Sequence, residues 1–258
     1  MIFKIFPFVI TFLIGIAVGS FAGLCSFRIP RGESVVLGRS YCDHCGTHLS
    51  WLQKLPLFGY LLLHGKSRCC HKTISVKYPI LETITGLVFI LLFSQFSDVK
   101  ILLSNWLFAG LLVVGVYMDL EHKIIPDKIT LTGIAAGVAL AGILSSLKLT
   151  DPIWGLLLCG GFLYASGRLG EFIFRKPEVM GGGDIKFAAM IGTFLGWQLG
   201  LTTIMVAAFS GVVFGCVRMG IRPESRHTRE IRFGPFLGAG ALLVLIYGNT
   251  LNGSVNLF

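Results

Sequence analysis

The sequence predicts an all-α polytopic membrane protein of about eight transmembrane helices, with a small polar loop domain after the first helix. Three observations carry that expectation. Of the 258 residues, 54% are hydrophobic and 14% are charged, with a mean hydropathy of +0.78; a soluble domain has about 25% charged residues. Eight apolar runs alternate with short polar segments. Lys and Arg are concentrated on every second connection, as the positive-inside rule requires of a multi-pass protein.

The runs cover roughly residues 5–27, 79–96, 101–118, 129–147, 152–174, 187–197, 201–217 and 235–247. Most approach the ~20 residues that an α-helix needs to cross hydrocarbon. The sixth and eighth are short and are expected to tilt or to recruit neighbouring residues. The first run reads as an uncleaved anchor rather than a signal peptide: it is long, only Lys4 precedes it, and dense positive charge follows it.

Nineteen of the 22 Lys and Arg fall on one side of this arrangement, against Lys4, Lys100 and Lys148 on the other. The basic side holds the loop from Arg28 to Lys77, then Lys123 and Lys128, then Arg168, Arg175, Lys176 and Lys186, then Arg218, Arg222, Arg226, Arg229 and Arg232. Both termini are therefore expected outside and the large loop in the cytoplasm. The net charge of +9 is a consequence of topology and of contact with the lipid bilayer, and calls for no nucleic acid.

The one polar segment of domain-like character is 28–78, too short to bury much core alone. It carries Cys42-Asp43-His44-Cys45 and Ser67-Arg68-Cys69-Cys70-His71. Thiols on a reducing, cytoplasmic face at this spacing favour zinc over disulfides. Cys25, Cys159 and Cys216 lie in apolar runs and read as packing residues.

Two carboxylates stand at the cytoplasmic ends of spans. Asp119 ends the third run, and Asp184 follows Gly181-Gly182-Gly183 just before the sixth. An ionisable residue at a span is costly and points to function. Two such groups that meet across a bundle would share one proton and activate water for attack on a peptide bond. The bland alternatives are a solvated helix-end aspartate at Asp119 and a helix N-cap at Asp184. Glu82, Glu121, Asp127 and Glu178 are competing carboxylates. The glycines admit backbone angles closed to other residues, so an extended substrate could lie against Gly181, Gly182 and Gly183.

Met180 to Phe187, continuing to Gly192-Thr-Phe-Leu-Gly-Trp197, resembles the GxGD signature of type IV prepilin peptidases. The stretch from Asp119 to Leu131 resembles their other catalytic segment. The N-terminal part is similar too, through Gly19 to Gly23, Arg28-Ile-Pro30, Ser34-Val-Val, Arg39 to Cys45, and Tyr78-Pro79-Ile-Leu-Glu82. A lone GxGD would equally suit presenilin-like proteases; the paired segments are more specific. The resemblance implies Asp119 and Asp184 as the catalytic pair, with Gly181, Gly182, Gly183 and Lys186 positioning the substrate. It implies cleavage, at the cytoplasmic face of the inner membrane, of type IV prepilins or type II secretion pseudopilins. The cut removes a short basic leader after a glycine and before a hydrophobic segment. It further implies N-methylation of the new terminus with S-adenosylmethionine, associated with the N-terminal cytoplasmic region. The implied domains are 1–27, a first helix; 28–78, the methyltransferase-associated loop; and 79–258, the peptidase.

One departure stands out. Where the family has two Cys-x2-Cys pairs, Ser67 replaces the third cysteine, and Cys69 is extra. The implied zinc set is Cys42, Cys45, Cys70 and Cys69, with His44, His64 or His71 as alternatives for the fourth place. Glu82 is a candidate either for methyl transfer or for pairing with Lys77. Three functions stay open: a bifunctional enzyme, a peptidase without transferase activity, and an ion-coupled carrier.

Overall fold

The computed structural model describes residues 2–42, 44–144, 150–175, 180–221 and 232–251. Lys148, Lys176, Glu178, Arg222, Arg226 and Arg229, invoked above, lie outside the described residues. The helices are α1 (Ile2–Arg28), α2 (Phe58–Leu62), α3 (Lys77–Gln95), α4 (Val99–His122), α5 (Asp127–Leu144), α6 (Thr150–Phe174), α7 (Gly182–Ile221) and α8 (Gly234–Leu251). Among the described residues, extended pairing is confined to two isolated bridges, Tyr41 with His48 and Lys66 with Thr73. The all-α expectation therefore holds.

Five helices, α1, α3, α4, α6 and α7, are long and apolar enough to cross a membrane. The sixth and seventh apolar runs are one helix, α7, interrupted at Gly196, where φ is 74° and ψ is 174°. That backbone conformation is essentially confined to glycine, so a helix of 40 residues becomes two apolar arms. The third run, expected to end at Met118, continues as α4 to His122, which puts Asp119 inside the helix.

The chain forms two compact units, residues 1–102 and 103–258. In the first, α1 lies directly on α3. A Cβ at Gly15 would stand 2.7 Å from Gly86 Cα, and one at Gly19 would stand 2.8 Å from Glu82 Cα. Residues four apart on a helix share a face, and small ones let two backbones approach in an apolar medium. The Arg28 guanidinium, 4% exposed, donates to the Ser34 carbonyl at 2.9 Å and ties the following loop to the end of α1.

That loop holds two knuckles of the same backbone design. The Cys42 amide donates to Thr47 O at 2.9 Å and the Gly46 amide to Cys42 O at 2.9 Å. Correspondingly, the Ser67 amide donates to Lys72 O at 2.8 Å and the His71 amide to Ser67 O at 2.9 Å. Gly46 and His71, at matching positions, both have positive φ. The two bridges close the knuckles at their bases.

In the second unit α7 packs against α5, α6 and α8. Phe108 of α4 stacks on Phe194 of α7 with ring centroids 4.7 Å apart. Phe187 fills the space beside Gly115 of α4. Phe108 and Phe187 are fully buried, and the three rings fix the register of α4 against the first arm of α7.

Gly19→Val is expected to force α1 from α3 and to destabilise the first unit by about 1–3 kcal/mol, the usual range for overpacking. Thermal unfolding in detergent should show a lower midpoint. Gly161→Ala, on a part of α6 where a Cβ meets open space, should leave the midpoint in place or raise it.

Candidate functional site

Asp119 sits in the last turn of α4, 7% exposed, and its Oδ2 has no hydrogen-bond partner. A helix C-terminus carries partial negative charge, so its last turn is an unfavourable place for a carboxylate. A solvated helix-end aspartate would not be buried there. What faces it is the start of α8. A Cβ on Gly234 would lie 2.7 Å from Asp119 Oδ2 and 3.1 Å from Cγ. The Gly234 amide points at the carboxyl group, and the Arg232 guanidinium is near enough to act on its charge. Arg232 itself donates to the Leu120 carbonyl of the same α4 turn.

Asp184 is half-buried in the first turn of α7. The helix begins at Gly182, so the capping position falls on Gly181, and Asp184 is not the cap. Its amide returns to the Gly181 carbonyl at 3.1 Å. Asp119 and Asp184 are close enough to interact electrostatically. The structure thus brings the two predicted aspartates together, from two helices remote in sequence.

Two contacts hold the start of α7 beside the end of α4. Gly183 lies against Ile125 in the turn between α4 and α5; a Cβ there would sit 3.2 Å from Ile125 Cβ. Lys186 Nζ meets Asp127 Oδ1 at 2.6 Å. Both side chains are about half exposed, and exposed pairs are worth ~0–1 kcal/mol. The packing at Gly183 therefore matters more than the ion pair. Lys186, expected to position substrate, and Asp127, expected as a competing carboxylate, are engaged with each other. Glu121 is exposed. Gly182 has open space where a side chain would be, and Gly181 meets only Asp184 Oδ2 at 3.4 Å, so the backbone before Asp184 is accessible.

In the loop of the first unit, the sulfurs of Cys42, Cys45, Cys69 and Cys70 all lie within 4.8 Å of one another, and His44, His64 and His71 are not part of the group. Cys42 Sγ is 3.8 Å from Cys70 Sγ, and Cys45 Sγ is 3.1 Å from Cys69 Sγ. Zinc bonded to four thiolates at ~2.3 Å spaces them by roughly 3.8 Å, so the cluster could hold a metal ion. The matching knuckles explain the departure at Ser67. Ser67 occupies the backbone position of Cys42, and Cys70 that of Cys45. Cys69, one residue before Cys70, supplies the sulfur that Ser67 lacks. The Ser67 hydroxyl stays inside the cluster, 3.5 Å from Cys42 Sγ and 3.0 Å from Cys69 Sγ. Its hydrogen bond, and after it the His44 amide, pulls the Cys42 thiol down to about 6. A hydrogen bond with Thr47 holds the Cys45 thiol below its ordinary value. Both shifts favour the thiolate, the form that binds metal. The Cys69 thiol is instead pushed up to about 11, because the lowering by the Ser67 hydroxyl is outweighed by the Cys45 thiol, by burial and by the other two thiols together.

Glu82, in α3, is 7% exposed and accepts the Leu57 amide on Oε2 at 2.6 Å. The Ser20 hydroxyl is its other hydrogen-bond donor.

Fold and site together define a helical membrane protein with a pair of interacting carboxylates in one unit and a thiol cluster in the other. The chain belongs to the type IV leader peptidase family, whose model matches residues 106–216; residues 13–96 match the bacterial peptidase A24 N-terminal domain. Among similar curated proteins is a prepilin leader peptidase/N-methyltransferase of Myxococcus xanthus, 36% identical over 214 residues, which cover 82% of this chain and 63% of that protein. Proteins of the same description from Pectobacterium carotovorum and Klebsiella pneumoniae are 29% and 30% identical. Those matches cover 93% and 76% of this chain, and 92% and 89% of the relatives. No solved structure matches.

Sequence reasoning missed Gly234 and Arg232. Arg232 counted only towards topology, and the eighth run was begun at Pro235. A signal was present: proline suits the first turn of a helix, so the Phe233-Gly234-Pro235 sequence marks a helix start preceded by a residue without a side chain. Gly234→Ala is expected to push on the Asp119 carboxyl group and move it by a fraction of an ångström to an ångström. Misplacement on that scale costs on the order of 10²-fold in rate. Peptidase assays should show that loss with insertion and abundance unchanged.

Proposed function

We propose that this chain is a membrane-embedded aspartyl endopeptidase that cleaves the leader from type IV prepilins or type II secretion pseudopilins and then N-methylates the new terminus. One observation carries the peptidase reading: a buried carboxylate, Asp119, lies within electrostatic reach of a second, Asp184, beside an open glycine backbone. Family membership and the relatives' description support both activities. The ion-coupled carrier reading gains no support from them.

The pair works as a unit holding one proton. The ionised carboxylate removes a proton from a water held between the two. The protonated one donates a hydrogen bond to the scissile carbonyl. The water oxygen bonds to the carbonyl carbon, the carbon–nitrogen bond breaks, and the leaving nitrogen takes a proton from the pair. An extended substrate runs along Gly181 and Gly182, while Gly183 keeps the loop against Ile125. Lys186 acts through Asp127 by fixing the start of α7.

The topology we propose has eight crossings, with the two arms of α7 counted separately and α5 and α8 as the shorter spans. Both termini are external and the aspartates lie at the cytoplasmic face of the inner membrane. In the loop, Cys42, Cys45, Cys69 and Cys70 hold zinc, which supplies a cross-link that a short polar segment needs in order to fold. Because Cys69 keeps the set at four thiols, the Ser67 departure does not by itself favour a peptidase without transferase activity.

Asp119→Asn and Asp184→Asn should each abolish cleavage of a model prepilin in membranes while insertion and abundance stay normal. Normal turnover by either variant would exclude the site. Cys42→Ser and Cys45→Ser should lower bound zinc from one equivalent and leave the loop susceptible to proteolysis. Purified protein with no stoichiometric zinc would rule out the metal assignment.

A further inference from the structure

The aspartate pair belongs to the second unit, whereas a large cavity lies in the first. Its volume is about 630 Å³, within the ~300–1,000 Å³ of small-molecule sites, and its walls come entirely from residues 17–82. The C-terminal half of α1, the start of α3 and the cysteine loop line it. Five phenylalanine and tyrosine rings line it, those of Phe21, Phe27, Tyr41, Tyr60 and Tyr78, and the charged side chains of its wall are Glu82 of α3, Arg28 and Lys54. Among the described residues, Glu82 is the one buried carboxylate of this unit.

A buried carboxylate on a cavity wall constrains what can fill the cavity. Glu82 takes its hydrogen bonds from two neutral donors, the Leu57 amide and the Ser20 hydroxyl. A hydrocarbon occupant, such as an acyl chain or an apolar pilin segment, would leave the rest of that carboxylate facing apolar atoms, at a cost of several kcal/mol. A cationic occupant would not. The rings offer flat faces for a heteroaromatic base and negative faces for a cation. With Glu82 on one part of the wall and Arg28 and Lys54 on others, the cavity suits a ligand that combines an aromatic base, a positive charge and a carboxylate.

We propose that this cavity binds the methyl donor, a nucleoside carrying a sulfonium and an amino-acid tail, with Glu82 as the countercharge to its positive end. The proposal rests on the N-methyltransferase reading above and deepens it by assigning a place and a recognising residue. The matched N-terminal domain, 13–96, contains every wall residue, so the cavity belongs to the part of the chain that the peptidase family model does not cover. Cys42 and Ser67 are also in the wall, which makes the thiol cluster a support for the cavity's shape.

The test measures binding directly, with the purified full-length protein in detergent. Labelled S-adenosylmethionine and its neutral product, S-adenosylhomocysteine, are titrated against wild type, Glu82→Gln and the cavity-filling Leu24→Trp. Prepilin cleavage and zinc content are read on each to show that both variants are folded. We expect Leu24→Trp to weaken both ligands at least tenfold. Glu82→Gln should weaken the sulfonium donor about tenfold and the neutral product much less, with cleavage unchanged in both variants. Wild-type donor affinity in a folded Leu24→Trp would overturn the cavity assignment while leaving the methyltransferase reading intact. Equal loss of donor and product in Glu82→Gln would overturn the role of its charge. A wild-type protein that cleaves prepilin but neither binds donor nor labels the product would remove the methyltransferase reading and this proposal together.

Discussion

Two carboxylates held close together at the ends of two helices are the constraint from which the second unit follows. Like charges at short range in a medium of low polarity repel strongly, and nothing in either helix alone would keep them there. The surrounding packing has to do it. Phe108 on Phe194 and Phe187 beside Gly115 set α4 against the first arm of α7. Gly183 on Ile125 and Lys186 with Asp127 set the loop before that arm. Gly234 closes the third side, leaving room for the Asp119 carboxyl group and no more. Each contact is modest, and the aspartate pair depends on them jointly.

The cysteine loop shows the same dependence in another form. The first knuckle places Cys42 and Cys45 three residues apart, and the second repeats its backbone with Ser67 and Cys70 in those places. The repeat is visible in the paired hydrogen bonds and in the positive φ at Gly46 and His71. A knuckle's geometry fixes where its first and fourth side chains point. Losing a sulfur at the first position would leave three thiols in the cluster. Cys69 restores the fourth by reaching in from a position that the repeat does not use, while the Ser67 hydroxyl remains as a hydrogen-bonding neighbour of the thiols.

Much of the fold was legible because apolar runs are read by composition, and membrane helices are little else. The break at Gly196 fell at the boundary between the sixth and seventh runs, where Gly196-Trp197 ends one and Leu201 opens the next. The aspartates were legible because charges are rare in such runs. The partners that hold them were not. Lys186 and Asp127 are separated by 59 residues, and no local pattern links a lysine in one helix to an aspartate in another. Gly234 carries no functional group at all. Its role is to be small at one point in space, and a single sequence does not report distances. The cavity of the first unit was invisible for the same reason, since its walls draw on a helix, a loop and a second helix.

In the function proposed above, the two activities divide between the units. Cleavage produces an amine that does not exist before the peptide bond breaks, so methyl transfer is necessarily second. At neutral pH that amine is an ammonium, and it must lose a proton before its nitrogen can attack a methyl group. A metal held by four thiolates has no open coordination position with which to activate either reactant; such a site shapes the loop and does no more. In the reading proposed above, the positive charge of a sulfonium donor is met by a protein side chain of the first unit. Among its described carboxylates, only Glu82 is both buried and on the wall of a cavity large enough to admit a nucleoside.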